Sequence, residues 1–126
     1  MASTPLVKSL DHINIRTADL GGTRAFFIDV LGLTDGARPP FPFPGAWLYA
    51  NGKDVVHLIE IASPLGPSDA SALDHFAFAI TDYEEARRRV VQSGLKFYEL
   101  GVPGASVRQI FVTDLNGVLI ELNART

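Results

Sequence analysis

"LDHFAFAITD" (residues 73–82) is nearly a second copy of "LDHINIRTAD" (residues 10–19). Both stretches begin Leu-Asp-His, continue with alternating side chains and end on Asp. The two histidines, His12 and His75, stand 63 residues apart (75 − 12), which is half of the 126-residue chain. Self-similarity at a fixed period marks repeated supersecondary units. The chain therefore reads as one domain over residues 1–126, made of two modules at about 1–63 and 64–126. The Pro/Gly/Ser-rich "ASPLGPSDASA" (62–72) serves as the linker between them.

The rest of each half follows from local signals. After the first strand, Asp19 is a helix N-cap. Phe26, Phe27, Val30 and Leu31 then recur at helical spacing, and Gly32 sits at the helix end. After the second, Asp82 with Glu85 makes a capping box in its Asp form. Glu84 and Glu85 suit the positive end of the helix dipole. Tyr83, Ala86 and Val90 share one face, and Gly94 ends the helix. Strand-like runs follow at 46–50 and 54–61, joined through Asn51-Gly52, a hairpin signal. Their counterparts are 96–100, 106–113 and 118–123, the last two joined through "DLNG" (114–117). Each half reads strand–helix–strand–strand with room for one more short strand. "DGARPPFPFPGA" (35–46) carries four prolines and is expected to be irregular, because proline lacks the donor that a ladder needs.

Bulk properties narrow the classes. Formal net charge is −3 and no cysteine is present. An acidic chain offers no footprint for nucleic acid or anionic lipid. Without cysteine there is neither a disulfide framework nor a thiolate metal site, so any metal must be held by His, Asp or Glu. No apolar run approaches the ~20 residues of a membrane span. "MASTPLVKSL" (1–10) lacks the apolar core of a signal peptide, and the expected location is cytoplasmic.

Strand residues alternate sides. Ile13 and Ile15 must face a helix, as must Phe76, Phe78 and Ile80. His12, Asn14 and Arg16 then face the other way, with His75, Ala77 and Ala79. The same alternation sets His57 opposite Val56 and Leu58, and Glu121 opposite Ile120 and Leu122. All three histidines of the chain thus lie on the side away from the helices. A pseudo-twofold between the modules would bring His12, His57, His75 and Glu121 around one point. Three imidazoles and a carboxylate suit Zn, Ni, Co, Mn or Fe.

At this point the sequence resembles the vicinal oxygen chelate superfamily, which includes glyoxalase I, extradiol dioxygenases, fosfomycin-resistance proteins and bleomycin-resistance proteins. The resemblance runs from "LDHINI" to "VLIELN", and "RQIFVTDLNGVLIELN" (108–123) looks like the family's "F–DPDG–EL" close. It implies an α+β fold of two paired βαβββ modules whose sheets curl into a metal-holding cup. It implies metal ligands on the first, fourth, fifth and eighth strands, which are His12, His57, His75 and Glu121 here. It further implies one divalent transition metal, with Zn, Ni or Co foremost and Fe or Mn as alternatives. In a glyoxalase-like enzyme Glu121 would also move a proton between carbons. Arg16 matches a position that binds the glutathione carboxylate in the family. The asparagine that helps to hold glutathione would fall near Ile61, which speaks against that substrate. In the closing turn Leu115 and Asn116 replace a proline and an acid, changes expected to matter little.

The remaining candidates are read with their plainer alternatives. Arg16 in a cup would clamp a carboxylate or pair with an acid there. Asn14 beside it would contact the ligand or support a metal ligand. Phe41, Phe43 and Trp47 form an apolar flap, with Phe43 and Trp47 expected to touch substrate. Asp11 and Asp74 are expected to serve strand-edge hydrogen bonding, and Glu60 to be a surface ion-pair partner. "ARRRV" (86–90) reads as a solvated helix face. The leading function is a small metal-dependent lyase or isomerase of glyoxalase type, acting on a small oxygen-chelating substrate through an enediolate-like intermediate. The alternatives are an Fe or Mn extradiol-type dioxygenase and a non-catalytic protein that binds a small ligand or antibiotic. A homodimer is expected. If the modules pair by swapping, His12 and His57 come from one copy, and His75 and Glu121 from the other.

Overall fold

The structure is a computed structural model and describes residues 5–101, 104 and 106–125; the first four residues of the N-terminal stretch lie outside them. The first module contains β1 (Ile13–Thr17), α1 (Leu20–Asp29), β2 (Thr34–Gly36), β3 (Gly45–Ala50) and β4 (Lys53–Glu60). The second contains β5 (His75–Ile80), α2 (Tyr83–Ser93), β6 (Phe97–Gly101), β7 (Val107–Thr113) and β8 (Leu119–Arg125). Each module builds one four-stranded mixed sheet, in the orders β1-β4-β3-β2 and β5-β8-β7-β6. The outer pairs β1–β4 and β5–β8 are parallel and the rest antiparallel. This is the expected α+β repeat of two βαβββ units. The sheets stay open, with β1 and β2 at the edges of the first and β5 and β6 at those of the second.

Local chemistry accounts for the element ends. Asp19 accepts from the Gly22 N–H and Asp82 from the Glu85 N–H. Gly94 ends α2 at φ +74°, and Asn51 and Gly52 both adopt positive φ in the β3–β4 turn. Two expectations need correction. Glu85 does not close a capping box; its carboxylate takes Arg88 and Arg89 instead, two cations one turn further along the same face. The proline-rich stretch is not wholly irregular either. Its first residues, Asp35 and Gly36, belong to β2 and pair with Leu48 and Trp47, and the prolines begin only at Pro39.

The apolar faces pack as the alternation requires. Phe26 and Phe27 of α1 bury against a sheet face that carries Ile15, Leu48, Val56 and Leu58. Tyr83 and Val90 of α2 do the same over Ile110, Val112, Ile120 and Leu122. Each fully buried side chain of this size contributes about 1.5–3 kcal/mol. The opposite faces are left for His12, Asn14, Trp47 and His57 on one sheet, and for His75, Phe111 and Glu121 on the other.

A polar clamp joins the modules, and here a further expectation fails. Asn116, in the turn between β7 and β8, reaches across to two buried threonines of the first module. Thr17 Oγ1 donates to Asn116 Oδ1 at 2.7 Å, and Asn116 Nδ2 donates to Thr23 Oγ1 at 2.9 Å. The two threonine oxygens lie 2.8 Å apart. Since the Thr17 proton is already given to Asn116, Thr23 donates to Thr17. Asp114 holds the turn by accepting from the backbone N–H groups of Asn116 and Val118 and from Asn116 Nδ2. An acid at position 116 could not donate to Thr23, so asparagine here is a structural choice.

Replacing Asn116 by Ala should destabilise the protein by about 2 kcal/mol, because buried hydroxyls lose their partners. Urea denaturation reads this as a lower midpoint at unchanged slope. An unchanged midpoint would show that the clamp adds nothing.

Candidate metal centre

The parallel registers align the two halves of the site. Asn14 pairs with His57 and Ala77 with Glu121. Asn14 and Ala77 follow the two repeated histidines at the same distance, so His57 and Glu121 occupy equivalent places. The next strand repeats the relation, with Trp47 opposite His57 and Phe111 opposite Glu121.

In the second module His75 Nε2 lies 3.0 Å from Glu121 Oε1. His75 Nδ1 lies 2.7 Å from Asp74 Oδ2. A carboxylate only accepts, so Nδ1 carries the proton toward Asp74. A neutral His75 then presents a lone pair at Nε2 to a carboxylate oxygen. Two acceptors at 3.0 Å are compatible only with a proton or a cation between them. The spacing is that of a charge-assisted hydrogen bond when His75 is protonated, and a cation bound there would take the place of that proton. Gln109 Nε2 donates to Glu121 Oε2 at 3.2 Å and steadies the other oxygen. Glu121 is buried, 8% exposed. The hydrogen bond to Asp74 is the main reason that the His75 pKa is raised, followed among the attractions by the Glu121 charge.

The first module repeats the theme with a different partner. His12 Nδ1 donates to Asp11 Oδ2 at 2.7 Å, and Lys53 Nζ donates to Asp11 Oδ1 at 2.9 Å. These bonds, that from His12 first, hold the Asp11 carboxyl down to about 2. Asp11 and Asp74 are therefore not strand-edge residues, as the alternation suggested. Each turns its carboxylate onto Nδ1 of the imidazole beside it and leaves Nε2 for another partner, an arrangement in which outer groups can orient metal ligands. The repeated Asp-His dipeptide was the available signal. The His12 ring stacks on His57 at 3.8 Å, and His57 stacks on Trp47 at 4.0 Å. His57 Nε2 donates to Asp54 Oδ2 at 2.6 Å.

The four candidate ligands thus form two pairs, His12 with His57 and His75 with Glu121. Among the described residues of one chain, no cluster of three or more His, Cys, Asp or Glu side chains is poised around a metal position. Arg16 is exposed, with no acid partner among the described residues, so the expectation of a buried guanidinium is corrected. It lies with Asn14 along a cavity of about 520 Å³ between β1 and the linker. Glu60 is exposed at the end of β4 and is not in an ion pair among the described residues. Phe43 stacks on Phe41, which leans on Trp47. Sequence reasoning missed Gln109, Tyr98 and Phe111. Phe111 meets His75 edge-on at 5.6 Å and stacks on Tyr98 at 4.9 Å. It also missed Asn123, two residues beyond Glu121 on β8, whose buried Oδ1 has no hydrogen-bond partner among the described residues.

With only three histidines, the imidazole protons can be followed one by one by NMR. In chelator-treated protein, Asp74→Ala should lower the His75 pKa toward its ordinary 6.5. A raised folded-state pKa means that the pair stabilises fully below the unfolded value and is lost as pH rises through the folded one. An unmoved His75 titration would separate Asp74 from the imidazole.

Comparison with known proteins agrees with this fold. YaeR of Escherichia coli (strain K12) is 29% identical over 123 residues, spanning 92% of this chain and 95% of that protein. The genomically encoded fosfomycin resistance protein FosX of Listeria monocytogenes superposes with a TM-score of 0.77 at 22% identity, over 96% of both chains. A glyoxylase/bleomycin resistance protein/dioxygenase domain from Frankia sp. EAN1pec gives 0.78 at 16% identity, over 95% of this chain and 99% of that one. The model of the Glyoxalase/Bleomycin resistance protein/Dioxygenase superfamily matches residues 9–122. The chain belongs to that superfamily.

Proposed function

We propose that this protein is a metal-dependent enzyme of glyoxalase type, a lyase or isomerase that acts on a small substrate with two adjacent oxygens. The observation that carries the reading is the His75–Glu121 pair, an imidazole Nε2 and a carboxylate oxygen at 3.0 Å. The donor set is nitrogen and oxygen only, which fits Zn, Ni, Co, Mn or Fe. Crystals of a FosX variant from Listeria monocytogenes hold Mn(II) with a dihydroxypropylphosphonic acid, and this likeness keeps Mn among the candidates.

His12, His57, His75 and Glu121 would hold the metal. Bound there, a divalent cation supplies Lewis acidity to the two substrate oxygens. The chain's own residues do the rest. Asp11 and Asp74 hold Nδ1 of their histidines and so aim Nε2. Gln109 steadies Glu121 Oε2, and the Glu121 carboxylate would take a proton from the carbon beside the chelating oxygens and return it to the neighbouring carbon. Trp47 and Phe111 wall the site on its two sides.

The separation of the ligands into two pairs supports a homodimer in which each site takes His12 and His57 from one copy and His75 and Glu121 from the other. The test uses variants that are each defective. His12→Ala and His75→Ala alone should hold no metal by elemental analysis. Co-refolded in equal amounts, they should recover about a quarter of the wild-type metal, because half of the dimers are mixed and each of these has one intact site. No recovery would overturn the swapped arrangement. In wild-type background, Glu121→Gln should abolish proton transfer with the fold intact. Full turnover in that variant would remove Glu121 as the base.

One observation favours a second reading. His57 spends Nε2 on Asp54 and its faces on His12 and Trp47. Without it, His12, His75 and Glu121 form a two-histidine, one-carboxylate set, which suits oxygen-activating Fe(II). Oxygen uptake with a catechol on Fe(II)-loaded protein would move the dioxygenase ahead.

A further inference from the structure

The arginines of this chain fall into two groups. Those on the helices and on β7 all meet carboxylates: Arg24 with Asp35, Arg87 with Glu99, Arg88 and Arg89 with Glu85, and Arg108 with Glu84. Arg16, Arg38 and Arg125 meet none among the described residues, and of these Arg38, in the proline-rich loop before β3, is the one placed against aromatic rings. It is nonetheless held firmly. Its Nη2 donates to the Phe43 carbonyl at 2.9 Å. Its guanidinium carbon stands 5.1 Å and 5.2 Å from the Phe41 and Phe43 ring centroids. Gly45 makes room for it, since a Cβ there would come within 2.8 Å of Arg38 Nη2 and 2.3 Å of the Leu58 carbonyl. A fixed guanidinium without an acid, beside a cavity, is a receptor for an anion.

The cavity beside it holds about 130 Å³ and is lined by Arg38, Phe41, Phe43, Trp47, Asn14 and His57, with Leu58 and Ile59 behind. A closed apolar cavity that binds benzene measures about 150 Å³; this one is slightly smaller and open on one side, so it would seat a ring without fully enclosing it. Its aromatic wall is continuous with the candidate ligands, because Trp47 stacks on His57 and His57 on His12. A flat ring placed there would lie against Trp47 and Phe43 at one end and beside the metal-side histidine at the other. Aromatic walls favour a ring over an aliphatic group of the same size by their stacked and edge-to-face contacts.

We infer that the first module carries a subsite for an aryl carboxylate, with the ring in the Trp47–Phe43 cavity and the carboxylate on Arg38. This assigns the substrate class of the site described above and rests on the reading that the cup is where substrate binds. Arg38 and Phe43 are the specificity-determining residues, one for charge and one for the ring.

Trp47 is the single tryptophan of the chain, so its fluorescence reports binding at this cavity. Three probes separate the terms: phenylglyoxylate, pyruvate without the ring, and methyl phenylglyoxylate without the charge. Calorimetry repeats each titration, and both chelator-treated and metal-loaded protein are used. Phenylglyoxylate should quench Trp47 and bind about tenfold or more tightly than either control. Arg38→Met should erase the advantage over the ester, and Phe43→Ala the advantage over pyruvate, each with an unchanged circular-dichroism spectrum. Equal binding of phenylglyoxylate and pyruvate, or an Arg38→Met variant with undiminished affinity, would overturn the subsite. Selective binding by chelator-treated protein that takes up no metal would sustain the subsite and remove the metalloenzyme reading. Metal uptake without aryl selectivity would do the reverse.

Discussion

The junction of Thr17, Thr23 and Asn116 is the constraint on which the two halves of this molecule depend. It couples the end of β1, the first turns of α1 and the β7–β8 turn through buried hydrogen bonds. Buried polar groups tolerate few alternatives, because an unmade bond costs more than a made one contributes. The junction thus sets how one module sits on the other. The apolar cluster that runs through both modules supplies bulk stability, but apolar contact is non-directional. The directional bonds of Asn116 specify the register between the halves.

From that arrangement follows the division of the candidate ligands. With a helix packed on one face of each sheet, the opposite faces carry His12 and His57 on one module and His75 and Glu121 on the other. Within each module the strand pairing brings the two members together across neighbouring parallel strands. A pair of donors is half of a metal site. A second copy that sets its second module against the first module would join the halves, and it would do so with histidines already aimed by Asp11 and Asp74.

The aromatic lining differs between the modules in a way that the repeat does not impose. Trp47 and Phe111 hold equivalent strand positions, yet Tyr98 stacks on Phe111 where Gly36 stands opposite Trp47. A side chain at position 36 would run into the Tyr49 ring, 2.5 Å from where its Cβ would stand, so Tyr98 has no counterpart on the first module, and Arg38, Phe41 and Phe43 line the cavity beside Trp47 instead. Divergence between two copies of one unit is where a symmetric scaffold acquires a preference for one substrate.

By itself the sequence determined the two-module repeat, the element types, both N-caps and the faces of the strands. It also identified the four candidate ligands. These depend on local dihedral preferences and on the period of alternation, both of which are written in short stretches such as 10–19 and 73–82. Tertiary structure alone decided the partners of side chains distant in sequence. Nothing local could tell that Asn116 would clamp Thr17 and Thr23, which lie 99 and 93 positions away, whereas the Glu85 pairs with Arg88 and Arg89 are i, i+3 and i, i+4 contacts within one helix and lie within reach of the sequence. Asp11 and Asp74 were misread because strand alternation assigns a side to the Cβ, whereas a carboxylate next to a histidine at a strand entrance can turn back onto its neighbour. Arg38 went unnoticed because a guanidinium in a proline-rich loop has no periodicity to mark it. Only the folded chain shows which arginines have found an acid and which have not.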